Sequence, residues 1–144
     1  RLAGWRSETK ARGVTPGALA VDDWSNAGGY RAARRLLDTG ALPDALFVGS
    51  DAQAIGVLRA LLEAGIDIPR ACPVVSFDGT GAGDFTWPAL TSARQPVREM
   101  ADLALALVAH PDPDPRYHAF PVDLVIRESC GCPLTPPVAT PTDS

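Results

Sequence analysis

The stretch Ala45-Leu46-Phe47-Val48-Gly49-Ser50-Asp51-Ala52-Gln53-Ala54-Ile55-Gly56-Val57-Leu58-Arg59-Ala60-Leu61-Leu62-Glu63-Ala64-Gly65 passes from one periodicity to another. Ala45 to Val48 is continuously apolar, as a strand covered on both faces should be. Asp51 sits where a helix cap belongs, and Ala54, Leu58, Leu61 and Leu62 recur at helical spacing until Gly65 ends the run. The same strand, loop and helix order is read on either side. Upstream, Ala18 to Asp22 forms a short strand and Ser25 caps a helix running to about Asp38, with Tyr30, Ala33 and Leu37 on one face and Gly40 as its stop. Leu2 and Trp5, ahead of Gly13, read as the end of a helix whose strand precedes Arg1. Downstream, Pro73 to Phe77 is a buried strand followed by Gly79-Thr80-Gly81-Ala82-Gly83, and Leu90 to Arg94 is an extended crossing segment. Pro96 then starts a helix with Val97, Met100, Ala104 and Leu107 on one face. A stiff Pro111-to-Pro115 linker leads to a last strand, Ala119 to Arg127, in which Phe120, Val122, Leu124 and Ile126 alternate. Residues 133–144 are rich in proline and threonine and are expected to be disordered. Alternating strands and helices with short connections give an α/β fold, a mostly parallel sheet flanked by helices.

Composition narrows the function classes. With 144 residues, 46% hydrophobic and 21% charged, the chain has the makings of one globular domain or part of a larger one. Its net charge is −4 and its basic residues are scattered, so this stretch carries no electrostatic footprint for nucleic acid or an anionic membrane. If DNA is involved, another segment holds it. No apolar run reaches the roughly 18 to 20 residues that span a bilayer. Three cysteines, Cys72, Cys130 and Cys132, are too few and odd in number for a disulfide framework, which points to a reducing compartment. Cys130-Gly131-Cys132 resembles half of a metal clip, but no second pair or nearby histidine completes it, so these read as inert tail thiols.

In an open parallel sheet the ligand crevice lies at the carboxyl ends of the strands. The residues there are Trp24 after the first strand, Ser50 and Asp51 after the second, Asp78 after the third and Gln95 after the crossing segment; Arg1, opening the first helix, falls on the same edge. An indole, a guanidinium, two carboxylates, a hydroxyl and an amide suit a polyhydroxylated ligand, because charged groups pair with adjacent hydroxyls while an indole covers the apolar face of a sugar ring. Each has a plainer reading beside this one: Asp51 as a helix cap, Asp78 as the end of a turn, Trp24 as core packing. Enzyme signals are weak. His110 and His118 belong to no nucleophile arrangement, and Ser50 lacks the flanking glycines of a nucleophile elbow. The run Gly79, Gly81, Gly83 has Asp84 where a dinucleotide-binding loop needs glycine, and Asp22, Asp23 and Asp78 have no metal-ligand spacing. No cofactor and no metal are expected.

Six motifs, in order, carry a family resemblance: Arg1-Leu2-Ala3-Gly4-Trp5, Asp23-Trp24-Ser25, Phe47 to Asp51 with Ala54-Ile55-Gly56, Val74 to Asp78, Leu90-Thr91 with Arg94-Gln95-Pro96, and Val125 to Ser129. Together they resemble the C-terminal half of the effector-binding domain of LacI/GalR-type bacterial transcription regulators, over residues 1–130. The resemblance implies a periplasmic-binding-protein-like fold of two Rossmann-like subdomains with a small molecule, usually a sugar or nucleobase, between them. Residues 1–94 and 116–130 would belong to the C-terminal subdomain, the helix at 96–109 to the N-terminal one, and 131–144 to a disordered tail. By the same resemblance Arg1 corresponds to an effector-clasping arginine and Trp24 to a stacking aromatic. Ser50 with Asp51 matches an Asn-Asp pair, Asp78 the acidic residue after a strand, and Gln95 a polar crossover position; Ser50 is shorter than the common asparagine. Trp24 and Gln95 lean toward the sugar-responsive members. An N-terminal helix-turn-helix domain would read operator DNA. A homodimer would form through the helix from about Gln53 to Leu61, with Ala54 and Val57 available to it, and through the loop Gly81 to Phe85. The expected role is therefore cytoplasmic, allosteric and not enzymatic; a sugar-binding protein of a transporter or sensor shares the fold logic, and a Rossmann-type enzyme is the rival from another class. The strand implied before Arg1 would lie between the strand at 18–22 and that at 44–48, so the chain alone is expected to be marginally stable.

Overall fold

The computed structural model describes residues 1–110 and 117–133. In chain order these form α1 (Leu2–Ala11), α2 (Asn26–Asp38), β1 (Leu46–Phe47), α3 (Asp51–Glu63), β2 (Val74–Asp78), β3 (Thr91–Arg94), α4 (Val97–Ala109) and β4 (Asp123–Val125), with short 3-10 turns at Gly81–Phe85 and Glu128–Cys130. The sheet order is β1-β2-β3-β4. The first two pairings are parallel and β4 is antiparallel to β3. The fold is the α/β class read from the sequence: a parallel-dominant sheet with helices packed on it.

The core lies between α2, α3 and β2. Ala54, Val57, Leu58, Ala60 and Leu61 of α3 are buried together with Ala33 of α2, Val48, Val74 and Leu90. Tyr30 and Leu37 flank Ala33 as the helical spacing predicts. Two glycines set how closely the helices approach: a Cβ on Gly29 would lie 2.0 Å from the Gln53 carbonyl oxygen, and one on Gly56 would lie 1.8 Å from that of Asn26. Only a residue without a side chain fits at either crossing. Behind the sheet, residues 127–129 clasp its strands. Arg127 Nη1 donates to the Leu90 carbonyl at 2.6 Å, Ser129 Oγ donates to that of Val74 at 2.6 Å, and the Thr91 backbone N–H donates to Ser129 Oγ at 2.9 Å.

Several expectations need correcting. Ala18 to Asp22 forms no strand, because an extended run is a strand only when another backbone answers its N–H and C=O groups. Ser50, not Asp51, caps α3: its Oγ accepts the Gln53 N–H at 3.2 Å, and Asp51 is the first helical residue. Ala54 and Val57 are core residues and so are not available to a partner, whereas Phe85 is almost fully exposed. The last strand shrinks to Asp123–Val125, and its alternation runs in the opposite phase, with Leu124 and Ile126 outward and Val125 half-buried. The Pro111-to-Pro115 linker and residues 134–144 lie outside the described residues.

Candidate ligand-binding edge

At the carboxyl end of β2 the chain turns sharply. Asp78 has φ 128°, a region L-residues rarely adopt, and Gly79 follows at φ +70°. A Cβ at Gly79 would lie 2.3 Å from Arg94 Cα, so the turn presses against β3. Its anchor is Asp51, which is 1% exposed. Oδ1 accepts the Ser76 and Ser92 hydroxyls, each at 2.6 Å, and Oδ2 accepts the Thr80 N–H at 2.6 Å and hydroxyl at 2.9 Å. Burial would raise the Asp51 pKa, but these four hydrogen bonds outweigh it and hold the carboxyl below its usual range. The register explains the pairing, since Ser76 and Ser92 stand opposite each other on β2 and β3.

Held by that turn, Asp78 meets Arg1 and Gln95. Arg1 Nη2 and Gln95 Nε2 both donate to Asp78 Oδ1 at 2.9 Å, and Arg1 Nη1 donates to the Gly49 carbonyl at 2.7 Å. The guanidinium also lies over two rings, 4.5 Å from the Phe77 centroid and 5.3 Å from that of Trp24. Such stacking pre-organises its planar fork. Among the described residues, Asp78 Oδ2 and Gln95 Oε1 accept no hydrogen bond, so two acceptors and a guanidinium converge beside an indole that is 63% exposed. Trp24 rests on Gly49, where a Cβ would come within 3.2 Å of Cζ3. Arg1, Trp24 and Gly49 also border a cleft of about 1130 Å³ that runs between α1, residues 14–22, α2 and β1, whereas Asp78 and Gln95 do not line it.

Four of the six residues singled out in the sequence, Arg1, Trp24, Asp78 and Gln95, thus come together. Ser50 and Asp51 do not present themselves to the cleft: the Ser50 hydroxyl is engaged by α3, and the Asp51 oxygens are turned into the Ser76, Ser92 and Thr80 network. Phe77 and Gly49, which complete the edge, were not singled out; nor were Ser76 and Ser92, whose signal is a hydroxyl in an otherwise apolar strand. Asp22 and Asp23 are taken up by α2 instead. Arg31 and Arg35 pair with Asp22 and hold its carboxyl far below the usual range, and Arg31 also reaches Asp23. The glycine-rich run folds into the 3-10 turn, with Asp84 paired to Arg127 at 2.6 Å. Among the described residues no cluster of three or more His, Cys, Asp or Glu is placed to hold a metal.

Comparison with known proteins agrees with this geometry. Residues 1–130 match the periplasmic binding protein-like domain. The HTH-type transcriptional repressor MelR of Bacillus subtilis is 35% identical over 120 residues, covering 81% of this chain and 35% of that protein. The lac repressor dimer bound to operator and the anti-inducer ONPF superimposes with a TM-score of 0.83 at 29% identity, over 90% of this chain and 46% of that one. A complex of the transcriptional regulator CelR with cellobiose does so with a TM-score of 0.78 at 30% identity, over 89% of this chain and 41% of that one. The chain therefore spans between about a third and a half of the relatives it matches.

Proposed function

The chain belongs to the periplasmic binding protein-like domain family, among the LacI-type effector-binding domains, and from that premise we propose that it is the ligand-sensing part of a cytoplasmic transcriptional regulator that binds a sugar. The observation that carries this reading is the Arg1, Asp78 and Gln95 hydrogen-bonded group under the exposed Trp24 indole. A carboxylate oxygen and an amide oxygen accept from adjacent ring hydroxyls, the guanidinium donates to ring or hydroxyl oxygens, and the indole takes the apolar face. No bond in the ligand is broken. Ligand held between this edge and a facing subdomain, to which α4 would belong, changes their relative orientation and shifts the population of dimers competent for operator DNA. DNA contact falls to an N-terminal helix-turn-helix domain. The homodimer reading rests on the exposed Phe85 and Trp87 of the loop after β2, with Leu62, the outward residue at the end of α3, beside Trp87.

The test is a tryptophan-fluorescence titration of the full-length protein with mono- and disaccharides. A saturable change is expected with at least one sugar, and Trp24→Ala or Asp78→Ala should weaken it by about tenfold or more, equivalent to about 1.4 kcal/mol. Far-UV circular dichroism should stay unchanged for Trp24→Ala, whose side chain is largely in solvent. Saturable binding of a nicotinamide dinucleotide with no response to any sugar would overturn the reading.

A further inference from the structure

Cys130, Gly131 and Cys132 follow directly on the Arg127-to-Ser129 clasp, in a turn that brings the Cys132 backbone back onto the Cys130 side chain. Gly131 has φ 69° and ψ 10°. A Cβ there would come within 3.3 Å of the Pro69 ring, a tight contact, and it is the positive φ that favours glycine. The turn aims the Cys132 backbone N–H at Cys130 Sγ, at 3.2 Å, and the Cys130 thiol itself faces the Arg127 carbonyl at 3.6 Å. Cys130 is half-buried and Cys132 exposed. Cys72 is a different case: it is fully buried, burial first and Asp44 second push its thiol up, and its Sγ faces the Pro43 carbonyl at 3.5 Å.

We infer that Cys130 and Cys132 form a dithiol site that reacts with low-molecular-weight disulfides and closes reversibly into an intrachain disulfide, with Cys130 as the attacking sulfur. From the sequence alone the pair reads as inert tail thiols, and the Gly131 turn is the observation that argues for more. Burial opposes a Cys130 thiolate. The Cys132 thiol, the Thr91 hydroxyl and the Cys132 backbone N–H outweigh it and bring the Cys130 thiol below its ordinary range, while the same contact pushes Cys132 up. Thr91 is suited to donate, because its Oγ1 already accepts the Arg127 N–H at 2.8 Å. In the first step the Cys130 thiolate attacks one sulfur of the small disulfide, forms a mixed disulfide and expels one thiolate. Cys132 then gives up its proton and attacks Cys130 Sγ, which forms the intrachain bond and expels the second thiolate. One small disulfide is thus reduced to two thiols as the two cysteines lose two hydrogens. A loop with a single intervening residue removes little chain entropy, so the bond reopens readily to a dithiol reductant.

The test exposes reduced full-length protein to oxidised glutathione, blocks free thiols with an alkylating agent and weighs the peptides. The peptide carrying Cys130 and Cys132 is expected to lose two hydrogens and resist alkylation, and dithiothreitol should restore both thiols. Cys132→Ser should stop at glutathione bound to Cys130, with no second thiol left to release it. Two free thiols after exposure, stable glutathione at both positions, or a Cys132→Ser variant that takes up no glutathione would each overturn the inference.

Discussion

α3 and α4 are both 13 residues long and predominantly apolar, yet they stand in opposite relation to the fold. α3 buries Asp51, Ala54, Gly56, Val57, Leu58, Ala60 and Leu61, whereas α4 buries no residue at all. Val97, Leu105 and Val108 of α4 are more than 60% exposed. The difference lies in small residues and partners. α3 carries Gly56 and faces Gly29, so a second helix seats against it, and β2 lies along its other side. α4 has an equally legible apolar face and meets no packed element among the described residues. Amphipathicity thus reports that a helix face needs cover, and close-approach residues report what covers it.

The largest effect that contrast predicts is at the helix crossing. Gly56→Val should cost more than about 4 kcal/mol or abolish cooperative unfolding in urea, because the new side chain displaces α2. A fully folded variant would show that the crossing is looser than its 1.8 Å clearance implies. Next, Leu61→Ala should cost about 2 to 5 kcal/mol by cavity formation, while Leu105→Ala on α4 should shift stability by no more than about 0.5 kcal/mol. Equal losses at the two sites would erase the distinction between the helices. A third effect belongs to Asp51 at the start of α3. Its pKa is lowered by folding, so its contribution is complete above the unfolded value near 3.9 and is lost as pH falls through the folded one. Asp51→Asn should cost about 1 to 3 kcal/mol at pH 7 and flatten the fall in urea midpoint below about pH 4. The smallest is at the exposed Arg94 and Asp123 pair, 3.5 Å apart, where Asp123→Ala should change stability by less than about 0.5 kcal/mol.

The same contrast separates what the sequence made legible from what it hid. Helices α2 and α3 are readable because capping residues, glycine stops and a period near 3.6 agree over a dozen residues, and α4 because the same period follows a proline start. Ala18 to Asp22 has strand-like residues, but pairing is a property of two backbones, and one sequence segment carries only half of it. The candidate ligand-binding edge is legible through positions just after each expected strand, which bring Arg1, Trp24, Asp78 and Gln95 into view. Direction was the hidden part. Asp51 is adjacent to that edge, yet its first-turn position on α3 turns the carboxylate toward Ser76 and Ser92, and nothing in local spacing distinguishes a carboxylate facing a ligand from one facing two serines. The phase of β4 was hidden for a related reason: apolar residues at Leu124 and Ile126 mark one face without saying whether that face is covered.

The clasp at residues 127–129 also bears on how the chain is made. Ser129 closes on Val74 across 55 positions of sequence, and Arg127 on Leu90 across 37. At roughly 5 to 20 residues per second, translation needs about 3 to 11 s to get from the first member of the longer pair to the second. For the later part of that interval β2 and β3 both exist and can pair through their own backbones, but the side chain that also bridges Val74 and Thr91 is missing. The sheet is therefore completed, with β4 in place and the clasp closed, only after its last described residues are made, and until then the free edge of β3 is open to faulty strand pairing.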